Sequence, residues 1–359
     1  MATLAELLRL KQAENPQEGA FVGYPQISNR RRPEGAVTGF LTAATGLPAK
    51  ENLSVLDPND AAYMQGQNYG ELANIATMAA GIPALLRAMP KTVAKAAPIK
   101  LDPIGQALEN RRLNEYAALM DEYKLLGDAK GGKVINTDIA RELSPDYRAN
   151  RTLSANVHEP ASEFTKQYYA ELLKQPPKKD SYVLFTGGGT GAGKTTSLDA
   201  VPDIVNAAEM VYDTNMNKLP SAVKKIDQAL DSGRRVSIAY TFRDPVEALT
   251  EGALSRAMRM KKELGSGRTV PIEEHLKTHI GARQTIDQLM KKYADNPNVD
   301  FTVIDNSLGK NMARATDINR IPQLDEKVIK QRLRDTLEEQ YKAGIIDEDV
   351  YKGTLGGNK

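Results

Sequence analysis

The feature that most constrains this chain lies near its middle, where Tyr182–Thr196 reads YVLFTGGGTGAGKTT. A short apolar run leads into glycines, and Gly188-Gly189-Thr190-Gly191-Ala192-Gly193-Lys194-Thr195 satisfies the pattern G-x-x-x-x-G-K-[ST]. Each position has a physical reason. Glycines let the backbone turn tightly with its N–H groups gathered around phosphate oxygens. Lys194 is placed to reach the β- and γ-phosphates of a nucleotide, and Thr195 offers a hydroxyl to Mg²⁺. A helix starting at Lys194 adds the positive end of its dipole, with Thr196 just behind. The loop predicts ATP or GTP bound with Mg²⁺. Because it needs a strand before it and a helix after it, it also dictates an α/β domain.

The surrounding pattern agrees. Short apolar strands are expected at Lys133–Asn136, Tyr182–Thr186, Glu209–Tyr212, Val236–Tyr240 and Asp300–Ile304. Between them fall helical patterns at Ile104–Leu126, Thr137–Leu143, Ser162–Lys174, Lys194–Leu198, Ser221–Leu230, Val246–Leu264 and Glu273–Tyr293. Such alternation predicts a parallel sheet of five or six strands covered by helices on both faces. This places the α/β domain at 104–315. A helical or irregular extension with a linker precedes it at 1–103, and a charged helical appendage follows at 316–359. Within the extension, Thr3–Lys11 and Asp60–Met89 read as helices, the latter with small residues on one face, and Pro90–Pro103 reads as the linker.

Composition removes several classes. The 48 basic and 46 acidic residues nearly cancel, so nothing marks the chain as a coat for nucleic acid, and Arg30-Arg31-Arg32 reads as a solvated loop. The absence of cysteine excludes disulfides, thiolate zinc sites, iron–sulfur clusters and cysteine nucleophiles. His275 and His279 share a helix face, but no third ligand accompanies them, so no metal site is expected there. Zero Trp and 6% aromatics argue against a carbohydrate-stacking module. The amino end lacks the pattern of a secretory signal. Leu72–Met89 is apolar but carries Asn74, Pro83 and Arg87, so it reads as a buried or partner-facing helix pair with no clear membrane span.

A nucleotide loop does not name a reaction, so the acceptor side must be sought elsewhere. Lys133–Tyr147 reads KVINTDIARELSPDY, with Asp138 at the start of a helix that follows a strand. In open α/β sheets a carboxylate there faces the ligand crevice, where it can take a proton from a hydroxyl. The alternative is a carboxylate that merely caps the helix. Ile135-Asn136-Thr137-Asp138, Arg141 and Ser144-Pro145-Asp146-Tyr147 together resemble the zeta-toxin kinase pattern of I-D-x-D, a basic residue and H-P-x-[YF]. Two positions depart from it, Asn136 for the first Asp and Ser144 for the His. The order departs too, because in zeta toxins this segment follows the phosphate loop, whereas here it precedes it by about 50 residues. The resemblance therefore implies a circular permutation.

It also implies roles. Asp138 becomes the base and Arg141 a substrate-side residue. EMVYDTN at Glu209–Asn215 resembles a strand end that touches substrate, offering Asp213 and Thr214. Gly252-Ala253-Leu254-Ser255-Arg256 resembles G-T-x-x-R, which gives Arg256 to the transferred phosphate. Gly267–Pro271 resembles the lid segment, with Arg268 as the second phosphate-binding arginine and His275 following. Arg243-Asp244 is a candidate at the nucleotide base, and Asp305-Asn306 a candidate adenine contact. Taken as a whole, the resemblance implies a P-loop kinase-like sheet, a nucleotide-sugar acceptor and an antitoxin partner.

Three functions remain open at this point. The first is an ATP- or GTP-dependent kinase acting on a nucleotide sugar or similar small molecule. The second is a structural or interaction protein of a phage virion or mobile element that retains the nucleotide fold, in contact with virion proteins. The third is a motor ATPase, weakened because Asp213 lacks a following Glu to activate water. These readings place the chain in the cytoplasm of a bacterial host or in a virion.

Overall fold

Six strands, β1 (Val134–Asn136), β2 (Tyr182–Gly187), β3 (Met210–Asp213), β4 (Arg235–Phe242), β5 (Val299–Asp305) and β6 (Arg314–Thr316), form one sheet in the order β1-β3-β2-β4-β5-β6. The first five run parallel and β6 pairs antiparallel to β5. The computed structural model describes residues 101–356, apart from 180, 200, 201, 310 and 311. The expected helices Thr3–Lys11 and Asp60–Met89, the triple arginine, the apolar stretch Leu72–Met89 and the linker up to residue 100 lie outside the described residues. Among the described residues, no helix is long and apolar enough to cross a membrane.

The sheet's chemistry follows from its order. In β4, every residue after Arg235 is buried, as its apolar run requires of a strand covered on both faces. β2 lies at the centre, with β3 on one side and β4 on the other. The chain thus reverses direction across the carboxyl end of β2, the place where open sheets bind ligands. β1 precedes β2 in sequence but joins the same sheet at its edge, its residues Val134, Ile135 and Asn136 opposite Val211, Tyr212 and Asp213. Its outer side is closed by a side chain. The Tyr123 hydroxyl donates to the Val134 carbonyl at 2.8 Å and accepts from the Asn136 N–H at 3.0 Å. The other edge is short and carries the exposed Arg314, which discourages further pairing.

Several expectations are corrected. The single helix at Ile104–Leu126 is two, α1 (Pro103–Asn114) and α2 (Tyr116–Leu125), because Glu115 leaves the helical region at φ −128°, ψ 28°. Asp102 caps α1, and Pro103 begins it. The helix after β1 is short, α3 (Thr137–Ala140), then tightens into a 3₁₀ turn at Arg141–Leu143. Two more helices, α4 (Pro145–Ala149) and α5 (His158–Leu173), complete the acceptor side. The helix α6 (Lys194–Asp199) follows the phosphate loop as expected, but α7 (Pro202–Ala207) was not foreseen. Nor was the antiparallel β6. α8 (Leu219–Asp231) covers β4. The predicted Val246–Leu264 helix begins as α9 (Pro245–Glu247), widens to π geometry over Ala248–Leu254 and resumes as α10 (Ser255–Leu264). α11 (Ile272–Lys292) is the longest helix described.

The carboxyl-terminal helices α12 (Glu326–Lys342) and α13 (Glu348–Leu355) share a hydrophobic core with this region. Ile329, Leu333, Leu337, Ile346 and Val350 pack with Leu249, Leu254, Ile272 and Leu276. A larger core lies on the face of the sheet that carries α2, α5 and α8, and a smaller one, containing Leu184, Ile204 and Ile304, on the other.

Candidate active site

The phosphate loop adopts a turn that only glycine permits. Gly188, Gly191 and Gly193 have φ of 135°, 76° and 85°, a region closed to side chains at ordinary cost. A Cβ at Gly191 would lie 2.2 Å from the Ala248 carbonyl, so the loop is seated directly on the π-helical stretch. Lys194 bends back over the loop. Its Nζ donates to Asn215 Oδ1 at 2.8 Å and to the carbonyls of Gly188 and Gly189 at 3.2 and 3.4 Å. Asn215 also fixes the loop's start, its carbonyl accepting from Gly188 N–H at 3.1 Å. Thr195 and Thr196 are exposed at the first turn of α6.

Beside this loop the ends of three parallel strands are tied together. The register sets Asn136, Asp213 and Thr186 side by side on β1, β3 and β2. Asn136 Nδ2 donates to Asp213 Oδ2 at 2.5 Å, and the Thr186 hydroxyl donates to Asp213 Oδ1 at 2.5 Å. This explains the departure at 136. An acid there would face Asp213 across the same gap, and one of the two would have to hold a proton. Asn136 Oδ1 also accepts from Asp138 N–H at 2.5 Å, capping α3 and fixing the direction of Asp138. Thr214 has a turn-forming part: its N–H reaches Thr186 Oγ1 at 3.3 Å and its hydroxyl accepts from Met216 N–H at 3.4 Å.

Asp138 itself does not cap the helix with its side chain. Its oxygens pair with Arg268 Nη1 at 2.5 Å and Arg141 Nη1 at 3.1 Å. Burial alone would raise this carboxyl. The Arg268, Arg141 and Arg256 charges overcome that and hold it well below the usual carboxylate range. Arg141 is buried between Asp138 and His158, its Nη2 2.7 Å from His158 Nδ1. Local desolvation and the neighbouring Arg141 charge lower the pKa of that histidine to about 4, although part of the residue stays exposed. Tyr147 is buried beside Arg141 and Arg268, with the Arg151 guanidinium 4.8 Å over its ring. Ser144, standing where the family pattern has His, caps α4.

The predicted residues are therefore brought together. Burial lowers the Lys194 ammonium below its ordinary value, while Asp213 and Asp138 favour its charge and Arg256 and Arg268 oppose it. All five groups share one crevice at the carboxyl ends of the strands, four cations with Arg141 against two carboxylates. Such an excess suits a polyanion. Arg256 is half-buried, and its Nε has no hydrogen-bond partner within the described structure.

Other candidates serve the scaffold. Asn306 is buried, donates from Nδ2 to the Ala192 carbonyl at 2.8 Å and so braces the phosphate loop. Asp305 accepts from Ser307 N–H and pairs with Arg314 at 3.4 Å. Arg243 pairs with Glu247 and Glu251, and Asp244 caps α9. Sequence reasoning missed Asn215 as the partner of Lys194, and Thr186 as the tie to Asp213. The one signal available for Thr186 was a polar residue ending an otherwise apolar strand. Among the described residues no group of three or more His, Asp or Glu could hold a metal on its own.

With the loop on the central strand and this strand order, the molecule is a P-loop kinase-like α/β fold. Residues 204–312 match a family model described as Zeta toxin. The span begins beyond the phosphate loop and leaves out β1. Two solved structures are similar to the chain. One is the native AvrRxo1-ORF1:ORF2 complex, at 13% identity and a TM-score of 0.35, covering 62% of this chain and 59% of that one. The other is the AvrRxo1-ORF1:AvrRxo1-ORF2 complex with sulphate ions, at 13% identity and 0.36, covering 71% and 72%. No curated protein matches.

Proposed function

We propose that the chain is a phosphotransferase of the zeta-toxin type, moving the γ-phosphoryl group of ATP or GTP to a hydroxyl of a nucleotide sugar or similar small molecule. The observation that carries this reading is Asp138. A carboxylate aimed by Asn136 and held by Arg268 and Arg141 sits in the same crevice as Lys194. Neither helix capping nor assembly requires that arrangement. Asp138 accepts the hydroxyl proton as the phosphoryl group departs. Arg268 and Arg256 neutralise the oxygens in transfer, the main demand of this chemistry. A triphosphate would compete for Arg268, and its transfer from Asp138 to phosphate would leave the carboxylate free to meet the acceptor.

Magnesium fits the donors present. It takes oxygen ligands, one or two carboxylates and substrate phosphates, and keeps several waters. Thr195 and Asp213 are the residues that would hold it, and when bound it would neutralise phosphate charge. The order of segments supports a circular permutation of the zeta-toxin arrangement. The carboxylate strand precedes the loop in sequence but occupies the sheet edge, and the family match covers only segments beyond the loop. Because such a kinase consumes metabolites of its own cell, the proposal extends to an inhibiting antitoxin chain.

The test is transfer of labelled γ-phosphate from Mg·ATP to a panel of sugar nucleotides. A labelled product is expected with the wild type and not with Asp138→Asn. Nucleotide consumption that never depends on an added acceptor would reject the kinase reading.

A further inference from the structure

The paired histidines of α11, which the sequence leaves without a ligand role, stand directly against the phosphate loop. The Thr190 carbonyl lies 3.0 Å from His279 Nε2, and the Thr190 N–H donates to Thr278 Oγ1 at 3.1 Å. A carbonyl can only accept, so His279 carries its proton on Nε2. The Thr278 hydroxyl has one proton to give. Its nearer acceptor is the His275 carbonyl at 2.8 Å, with Thr190 Oγ1 at 3.2 Å. The His279 ring is also the wall behind Gly189, where a Cβ would meet it at 2.2 Å. His275 packs against His279, the tilted rings 4.6 Å apart between centroids, and donates from Nε2 to the Pro245 carbonyl at 2.8 Å. Both rings are buried, which keeps them neutral.

Three alternate N–H groups of the loop are thus committed within the protein. Gly188 donates to the Asn215 carbonyl, Thr190 to Thr278, and Ala192 to the Gly189 carbonyl at 3.2 Å. Planar peptides share their Cα atoms, so fixing alternate planes fixes those between them. Of the three anchors, only the one at Thr190 comes from a side chain on a distant helix. We propose that Thr278 and His279 are positioning residues of the nucleotide site, holding Thr190 from both its N–H and its carbonyl so that the rest of the loop is shaped for phosphate before it binds. This rests on the nucleotide-binding reading above. It fits the general need for a binding loop to be held by groups that do not touch the ligand.

The experiment is calorimetric titration with Mg·ATP of the full chain and four variants. Thr278→Val keeps the shape and removes the acceptor for Thr190 N–H. It is expected to weaken binding about 10-fold, the range for stranding a buried donor. Its melting temperature should stay within about 3 °C of wild type, and Thr278→Ser should restore wild-type affinity. Wild-type affinity in Thr278→Val, or equal weakening in Thr278→Ser, overturns the proposal. Should Thr278→Val not fold, His279→Leu tests the other anchor. It keeps bulk behind Gly189 but loses the donor to Thr190, and undiminished affinity there also overturns the proposal. Lys194→Ala separates the two levels. If it binds Mg·ATP as wild type does, the nucleotide reading itself has failed and this inference with it. If only Lys194→Ala is weakened, this inference alone falls.

Discussion

At the scale of single residues, the site divides into groups that meet the ligand and groups that aim them. Lys194 belongs to the first set. Its present partners, Asn215 and two loop carbonyls, are ones a phosphate can replace. Lys194→Ala should cost about 2 kcal/mol of Mg·ATP affinity, the worth of a charge-assisted contact, read by titration. Asp138→Asn should leave Mg·ATP binding undiminished, since the variant also releases Arg268. It should lower phosphoryl transfer about 10²–10⁴-fold, the usual loss for general base catalysis, measured as labelled product per unit time. Lys194, Asp138, Arg256 and Arg268 were visible in the sequence because each sits in a local pattern. Asn215 was not, and Asn306 showed only as a candidate adenine contact. Their partners lie far along the chain, as in the bond from Asn306 to the Ala192 carbonyl across 114 residues, and no local spacing encodes such a meeting.

Elements were legible where apolar runs were long and continuous. VSIAY and YVLFT became β4 and β2, each slightly extended, because a strand buried on both faces has no alternation to confuse its reading. Legibility failed where geometry changes inside a continuous pattern. Nothing in the periodicity from Ile104 to Leu126 marks the break at Glu115. The π-helical stretch Ala248–Leu254 is likewise invisible to a 3.6-residue repeat, although it forms the seat of the phosphate loop. Such widened turns gather at functional sites. Gly252 faces Gly191 across this seat, so closely that a Cβ on it would lie 2.6 Å from the Gly191 carbonyl oxygen. Gly191→Ala should therefore both strain the backbone at φ 76° and push against the Ala248 carbonyl. We expect a loss of about 2–3 kcal/mol in stability by urea denaturation, with Mg·ATP affinity falling as well because loop and seat must separate.

For the molecule as a whole, one buried ion pair fastens the sheet to the helix that covers it. Arg234 grips Glu209 through two bonds of 3.0 Å while donating to the carbonyls of Leu172, Leu173 and Gln175 at the end of α5. Burial raises the Glu209 carboxyl, but Arg234 outweighs it and sets the pKa below the ordinary 4.5. A depressed acid contributes stability that is complete above its unfolded value and is lost as pH falls through the folded one. Glu209→Gln should cost about 3 kcal/mol at pH 7, because it leaves Arg234 buried without its counter-charge. The gap between variant and wild type should narrow below about pH 4.5, measured as urea midpoints across pH.

The edge strand β1 has a consequence for the order in which this protein comes into being on the ribosome. Its only strand partner among the described residues, β3, is paired Val134 to Val211 and so is made 77 residues later. At ordinary elongation rates that is a wait of about 4–15 s with one ladder side unpaired. The other side need not wait. Tyr123 is made before β1, and its hydroxyl meets both the Val134 carbonyl and the Asn136 N–H. The nascent strand is thus blocked on one side as soon as it appears and left with a single open edge, which β3 completes. Until β3 has emerged and docked, Asp138 and the phosphate loop belong to separate pieces of chain, and no shorter nascent product can carry out the transfer proposed here.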